Sequence, residues 1–258
     1  MTKPIFARPR HWYDSYTDFW TLVNLCGYEW CYLDDMDTKN PDALYIFTGP
    51  EAKHEFKGAK ARIIYWLLEW YGDYEQREGI AETWTSNRTY AEMVGAKFVP
   101  MGGHPDLGNP KRGDGRFHIA HMSYAGIHRR SLLLGKIKEA ANRWGEWDFA
   151  IAPNAWGEDR DFNLHNSRMM IHIHQNEAYP AIAPLRAVLA AAYALPLVAE
   201  NGWSADPYQD HCYVYAYKDM PEAIMSMLQS KNLDAQGQAL HQHVCHDLRF
   251  DKVVETNL

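Results

Sequence analysis

The order of elements along this 258-residue chain predicts an α/β protein with largely parallel sheets, built as two domains. Three observations carry that expectation. Short apolar runs alternate with helical stretches, the signature of successive β–α–β units in which a helix carries the chain back to start the next parallel strand. The alternation stops at residues 106–116, DLGNPKRGDGR, where glycine, proline and charge replace any apolar period, and then it restarts. The length is also enough for one large core or two smaller ones. The expected layout is a first domain over residues 1–105, a linker over 106–116, and a second domain over 117–258 that ends in helices.

Each element has a local reason. Residues 13–25 predict a helix with Trp20, Leu22, Val23 and Leu25 on or near one face. Residues 28–33 predict a strand, stopped by the acidic turn DDMD. ALYIF at 43–47 is a buried strand that runs into Thr48-Gly49-Pro50, and ARIIYWLL at 61–68 is another. TWTSN at 83–87 leads into a short helix that Gly95 ends, as a C-cap glycine does. KFVPMGGHP at 97–105 is a further strand closing on a Gly-Gly turn. In the second half, 117–122 is a strand, 123–126 a loop, and 129–144 a helix with Leu132, Leu133, Ile137 and Ala140 on one side. WDFAIA (147–152) and RMMIHI (168–173) are strands. Residues 184–193 form a helix with proline in its first turn, where the missing N–H costs nothing. Strands at 197–200 and 212–217 follow, and helices at 221–229 and 233–253 close the chain.

Composition narrows the function. Ten tryptophans among 14% aromatics favour a protein that binds something, because large rings line clefts as well as cores. A net charge of −7 disfavours a partner held mainly as a polyanion. Cys26, Cys31, Cys212 and Cys245 form no CxxC pair, and the opening MTKPIFARPRHW lacks the apolar core of a secretion signal. The apolar stretch 182–199 is interrupted by Pro184, Arg186 and Pro196, so it does not read as a membrane span. The expectation is a cytoplasmic protein with free thiols.

Open parallel sheets bind ligands beyond the carboxyl ends of their strands, which directs attention to the loops there. SYAGIHRR, 123–130, follows a strand and opens a helix. Its backbone N–H groups, together with Arg129 and Arg130, favour an anion. The second loop holds His174, Gln175, Asn176, Glu177 and Tyr179 and leads to a helix with Arg186 in its first turn. The helix dipole disfavours a cation there. An anion bound at that end would explain it, and guanidinium matches phosphate.

These two stretches carry a resemblance. NEAYPAIAPLRAVLAAAYALPLVAENG resembles the donor-site segment of nucleotide-sugar glycosyltransferases of the GT-B fold, most closely the CgeB-like and group 1 proteins. FHIAHMSYAGIHRRSLL is similar to the start of the second domain in that family, and KFVPMGGHP to the strand before the crossover. The likeness spans roughly residues 40 to 253. It implies two Rossmann-like domains facing across a cleft, with a reduced N-terminal domain on the acceptor side and the nucleotide sugar held by the second. It carries the diphosphate role to Ser123, Tyr124, Gly126, Arg129 and Arg186. Sugar and nucleotide contacts go to residues 174–179 (His174, Gln175, Asn176 and Tyr179 among them), to Ala183, Pro184 and Leu185, and to Asn154. The pair of glutamates with seven residues between them that many retaining members carry would fall at Ala181 and Leu189, so stereochemistry stays open.

Sugar transfer needs charge stabilisation on the leaving diphosphate and, for inversion, a base. Glu51, Glu69 and His104 are candidates from the first half, and Glu177 is the acidic candidate nearest the donor loop. No bound metal and no tightly held cofactor are expected. His172 and His174 share a strand face, and HQHVCH (241–246) pairs His241 with Cys245 and His243 with His246 at helical spacing. The terminal run is expected to be an amphipathic helix with exposed histidines. Asp35-Met36-Asp37 is expected to be an acidic turn. The expected activity is glycosyl transfer from a nucleotide-diphosphate sugar to a glycan, a small molecule or a modified base, as in phage DNA. The alternative is a non-catalytic nucleotide- or sugar-binding module.

Overall fold

A computed structural model describes residues 2–10, 17–49, 56–68, 78–111, 113–122, 127–145, 149–151, 157–230 and 232–258. The chain divides into two compact units. The first is Met1–Met101 with Ala183–Leu185 and Phe250–Leu258; the second is Gly102–Ile182 with Arg186–Arg249.

Among the described residues the first unit holds six strands: β1 (Ile5–Arg8), β2 (Glu29–Tyr32), β3 (Leu44–Phe47), β4 (Arg62–Leu67), β5 (Glu82–Thr85) and β6 (Lys97–Phe98). They lie in the order β2-β1-β3-β4-β5-β6, every pair parallel. A parallel strand is buried on both faces, and β3 and almost all of β4 are buried accordingly. The sequence reading missed β1 because four residues, IFAR, are too short a run to stand out. It extended β6 over nine residues where only two pair. Helices α1 (Thr17–Leu25) and α2 (Arg88–Val94) belong to this unit. Asn87 caps α2 by accepting the Tyr90 N–H at 2.9 Å, and Gly95 ends it at φ 65°, a conformation that costs glycine little.

Much of the aromatic surplus is core. Trp66, Trp84 and Tyr65 are fully buried. Phe6, Phe19 and Trp66 enclose Phe250, with Phe250 stacked on Trp66 at 5.7 Å between centroids. Phe250 opens the closing helix α8 (Phe250–Asn257), so the chain's last turns complete the core begun by its first strand. Asp35, in the acidic turn, is ion-paired with Arg10, as is Asp34.

The second unit holds β7 (Ile119–His121), β8 (Phe149–Ile151), β9 (Met170–His172), β10 (Leu197–Glu200) and β11 (Cys212–Tyr215), in the order β11-β10-β9-β7-β8 and again all parallel. Five helices accompany them: α3 (His128–Trp144), α4 (Glu158–His165), α5 (Pro184–Ala192), α6 (Met220–Leu228) and α7 (Leu233–His241). On α3 the inward face is Leu133, Leu134, Ile137, Ala140 and Ala141. Leu132, expected inward, is 49% exposed because the stripe runs one position further round the helix. Helix α4, EDRDFNLH, has too little apolar period to be seen in sequence. Acidic residues in its first turn favour it through the helix dipole.

The alanine-rich α5 is buried along most of its length, and small side chains let neighbours approach its end closely. The single helix expected over 233–253 is instead α7, a π-helical stretch Gln242–Asp247, and α8.

Candidate functional site

Strands β7, β9 and β10 of the second unit end in His121, His172 and Glu200. Three polar side chains therefore stand at the carboxyl edge of an otherwise apolar sheet, and all are buried. Glu200 is only 5% exposed. Both its oxygens accept from the Arg129 guanidinium, at 2.5 Å from Nη1 to Oε2 and in close contact from Nη2 to Oε1. Oε2 also accepts the His174 backbone N–H at 3.1 Å. Arg129 is the second residue of α3. Its guanidinium lies 4.2 Å from the Tyr217 ring centre, and the Tyr217 hydroxyl donates to the Arg129 carbonyl at 2.8 Å. A two-pronged arginine–carboxylate pair over an aromatic face is geometrically selective. The Glu200 bond, strengthened by its charge, raises the Arg129 pKa further.

Arg130, the next residue, is also buried, and its Nε donates to the Ile173 carbonyl at 3.1 Å. Burial holds His121 neutral, down to about 3, with Arg130 and more weakly Arg186 adding to the effect. Burial likewise pushes His172 well below the ordinary range, helped by His174, Arg130 and Arg186. Both arginines act electrostatically on both histidines. His174 is lowered by burial first, with Glu200 pulling the other way.

The loop after β9 is folded back tightly. The Ala181 carbonyl is 3.1 Å from both His172 Nε2 and His174 Nδ1. Each neutral ring must therefore present its N–H there, which fixes both tautomers. The remaining nitrogen of His174, Nε2, is buried without a hydrogen-bond partner. It lies against Gly202, where a Cβ would come within 2.8 Å of it and would overlap the Pro180 carbonyl. Trp203 N–H donates to that same carbonyl at 2.6 Å, and Tyr179 meets Trp203 edge to face at 4.9 Å. Residues 174–182 and 200–203 are thus fastened together.

Of the residues named from sequence, Arg129 and His174 come together at this edge through Glu200, and the charge of Arg186 acts on His121 and His172 there. Gln175, Asn176 and Glu177 lie exposed on the loop. Asn176 Oδ1 accepts the Tyr179 N–H at 2.9 Å, and the Glu177 carboxylate is 3.9 Å from Arg129 Nε. Pro184 and Leu185 start α5 and, with Ala183, cluster with the first unit. His104 belongs to the second unit, where its Nδ1 accepts the Asp106 N–H at 3.1 Å. Its neighbour Gly103 packs on Val244 and Cys245, so this turn sits against the terminal helical segment. Ser123, Tyr124, Gly126, Asn154, Glu51 and Glu69 lie outside the described residues. Sequence reasoning did not give Glu200, His121 or Tyr217 a role. A signal existed for the first two, each the polar last residue of an apolar strand, in LVAE and IAH.

No group of three or more histidine, cysteine or acidic side chains converges as a metal site among the described residues. Nor is any helix among them long and apolar enough to cross a membrane.

Two all-parallel Rossmann-like sheets, with a last helix that rejoins the first, define the GT-B fold, and solved structures match it. TarM superposes with a TM-score of 0.61 at 11% identity over 84% of this chain. A TarM variant from S. aureus, in complex with fondaparinux, alpha-GlcNAc-glycerol and UDP, gives 0.53 at 12% identity over 84% of this chain. The lipopolysaccharide outer core galactosyltransferase WaaB gives 0.55 at 8% identity, covering 100% of both chains. The chain spans 54% and 55% of the two TarM chains. No family model matches the sequence, and no curated protein does.

Proposed function

We propose that this protein transfers a sugar from a nucleotide-diphosphate sugar to an acceptor hydroxyl, as a metal-independent glycosyltransferase of the CgeB-like and group 1 branch. The observation that carries the reading is the placement of Arg129 and Arg130 at the carboxyl edge of the second sheet, Arg129 on the buried Glu200 and Arg130 on the Ile173 carbonyl, with the charge of Arg186 acting on the same strand-end histidines. When the glycosidic bond to the diphosphate breaks, negative charge grows on the leaving oxygens. Arginines preorganised in a water-poor edge stabilise that charge without reorganising. Arg186, in the first turn of α5, acts alongside that helix's N-terminal N–H groups. Arg129 is held by Glu200 and Tyr217 and serves chiefly to keep the edge in shape. Neutral His121 and His172 add no charge of their own, so the field at the edge comes from the arginines. Glu177, exposed beside Arg129, is the acidic candidate for a role as base near the donor.

The test is a thermal-shift screen with uridine, guanosine, adenosine and thymidine diphosphate sugars, since a ligand that binds only the folded state raises its melting temperature. The best donor is then offered to glycan, small-molecule and hydroxymethylated-DNA acceptors, the last addressing a phage-type DNA modification. Arg186→Ala is expected to lower donor affinity by about 10- to 100-fold, the worth of a hydrogen bond to a charged group. Unchanged affinity would remove Arg186 from the donor site. One observation favours a second reading, a binding module without turnover. Ala181 and Leu189, where the resemblance would put two glutamates, are buried and apolar. Donor binding with no transfer and no hydrolysis would support that reading.

A further inference from the structure

The terminal helix carries a feature that sugar transfer does not use. Between Gln242 and Asp247 the backbone widens to π-helical geometry, with hydrogen bonds reaching five residues rather than four. In an α-helix, residues five apart stand about 140° apart around the axis. The widened turn brings His241 and His246 together instead, with their Nε2 atoms 3.3 Å apart and their rings edge to face at 5.1 Å. The pairings suggested by helical spacing do not form. Cys245 is buried against Gly103, and His243 turns to the Pro207 carbonyl at 3.0 Å and stacks on His211.

Two details make the His241–His246 pair more than a contact. The His241 Nδ1 lies 2.9 Å from the Ala191 carbonyl on α5, so that nitrogen carries the proton and Nε2 presents a lone pair. A backbone carbonyl on the far nitrogen is the arrangement that orients a metal-ligating histidine. The spacing also fits. Two nitrogens, each about 2.0–2.1 Å from a tetrahedral zinc ion, stand about 3.3 Å apart. Without metal, His246 must donate its Nε2–H to His241. With metal, His246 takes its other tautomer, Nε2 giving up its proton while Nδ1 gains one by exchange with water, and both Nε2 lone pairs turn to the ion.

We propose that His241 and His246 form a two-histidine site for a borderline divalent cation such as Zn²⁺ or Ni²⁺, completed by water, which ties the C-terminal end of α5 to the π-helical turn. The site is separate from the arginine edge, and its role is to stabilise the fold.

The experiment uses the full chain without a histidine tag and titrates it with Zn²⁺ alone, by calorimetry and by melting temperature. The expected result is one ion per chain with a rise in melting temperature. His246→Gln, at the more exposed partner, is expected to weaken that binding at least tenfold and to abolish the thermal rise. His243→Gln, which leaves the pair intact, binds as the wild type does. His241→Gln also loses the Ala191 bond, so a failure of that variant to fold would not decide the matter and His246→Gln serves as the deciding change. Equal binding by wild type and His246→Gln, or no binding by the wild type at millimolar zinc, overturns the proposal. Donor-sugar binding is read in parallel, and its loss or retention does not bear on the metal result.

Discussion

Acidification should destabilise this protein well above the range where carboxylates titrate, and the buried histidines set the amount. His121 falls from an ordinary value of 6.5 to about 3, through burial and the nearby Arg130. Its folded pKa lies below its unfolded one, so the unfolded chain binds a proton that the folded chain refuses. Stability is therefore complete above the unfolded pKa and is lost as pH falls through about 6.5 towards the folded value. From about pH 7.5 to pH 5.5 one such histidine removes about 1.3 kcal/mol. His172, shifted well down by burial, adds to the loss in the same direction. His174 is also lowered by burial, with Glu200 opposing the shift, and acts in the same direction. The His121 share alone is about 3–5 °C in melting temperature for a chain of this size. Urea unfolding at a series of pH values measures it, and His121→Gln should flatten the curve by about one proton's worth. Stability that stays level or rises from pH 7.5 to 5.5 would refute the account of three neutral, buried rings.

Two further changes test the packing. Arg129→Ala leaves the buried Glu200 carboxylate without its guanidinium, and should cost about 3 kcal/mol in unfolding free energy. Arg129→Met with Glu200→Leu should recover much of that loss, and a double variant no more stable than Arg129→Ala would argue against an isolated buried pair. Gly237→Ala, inside α7, would ordinarily gain about 1 kcal/mol of helix propensity. Here the added Cβ would overlap the Ala194 carbonyl oxygen, so the sign should reverse and the melting temperature should drop.

Sequence alone determined the α/β alternation and most of its elements, because those follow from local periodicity, whereas IFAR of β1 and EDRDFNLH of α4 carry too little of it. A run such as LYIF or LVAE suits a central parallel strand buried on both faces, and a glycine such as Gly95 ends a helix through its own backbone freedom. The arginine at the head of α5 was legible too, since a cation at a helix N-terminus is locally unfavourable and asks for a reason. What tertiary structure decided is which distant residues meet. Arg129 could have faced an anion or a carboxylate, and only the alignment of α3 with the end of β10, 71 residues on, turned it to Glu200. The histidines of HQHVCH read as surface because an α-helical period was assumed. The π-helical turn re-aimed them, pairing His241 with His246 and sending Cys245 inward. Phe250 belongs to the first unit although it lies far along the chain, because the aromatic core around Phe6 and Trp66 is completed only when the last helix comes back to it. Local chemistry writes the elements, whereas contacts between residues far apart depend on burial and packing of the whole chain, which no window of sequence contains.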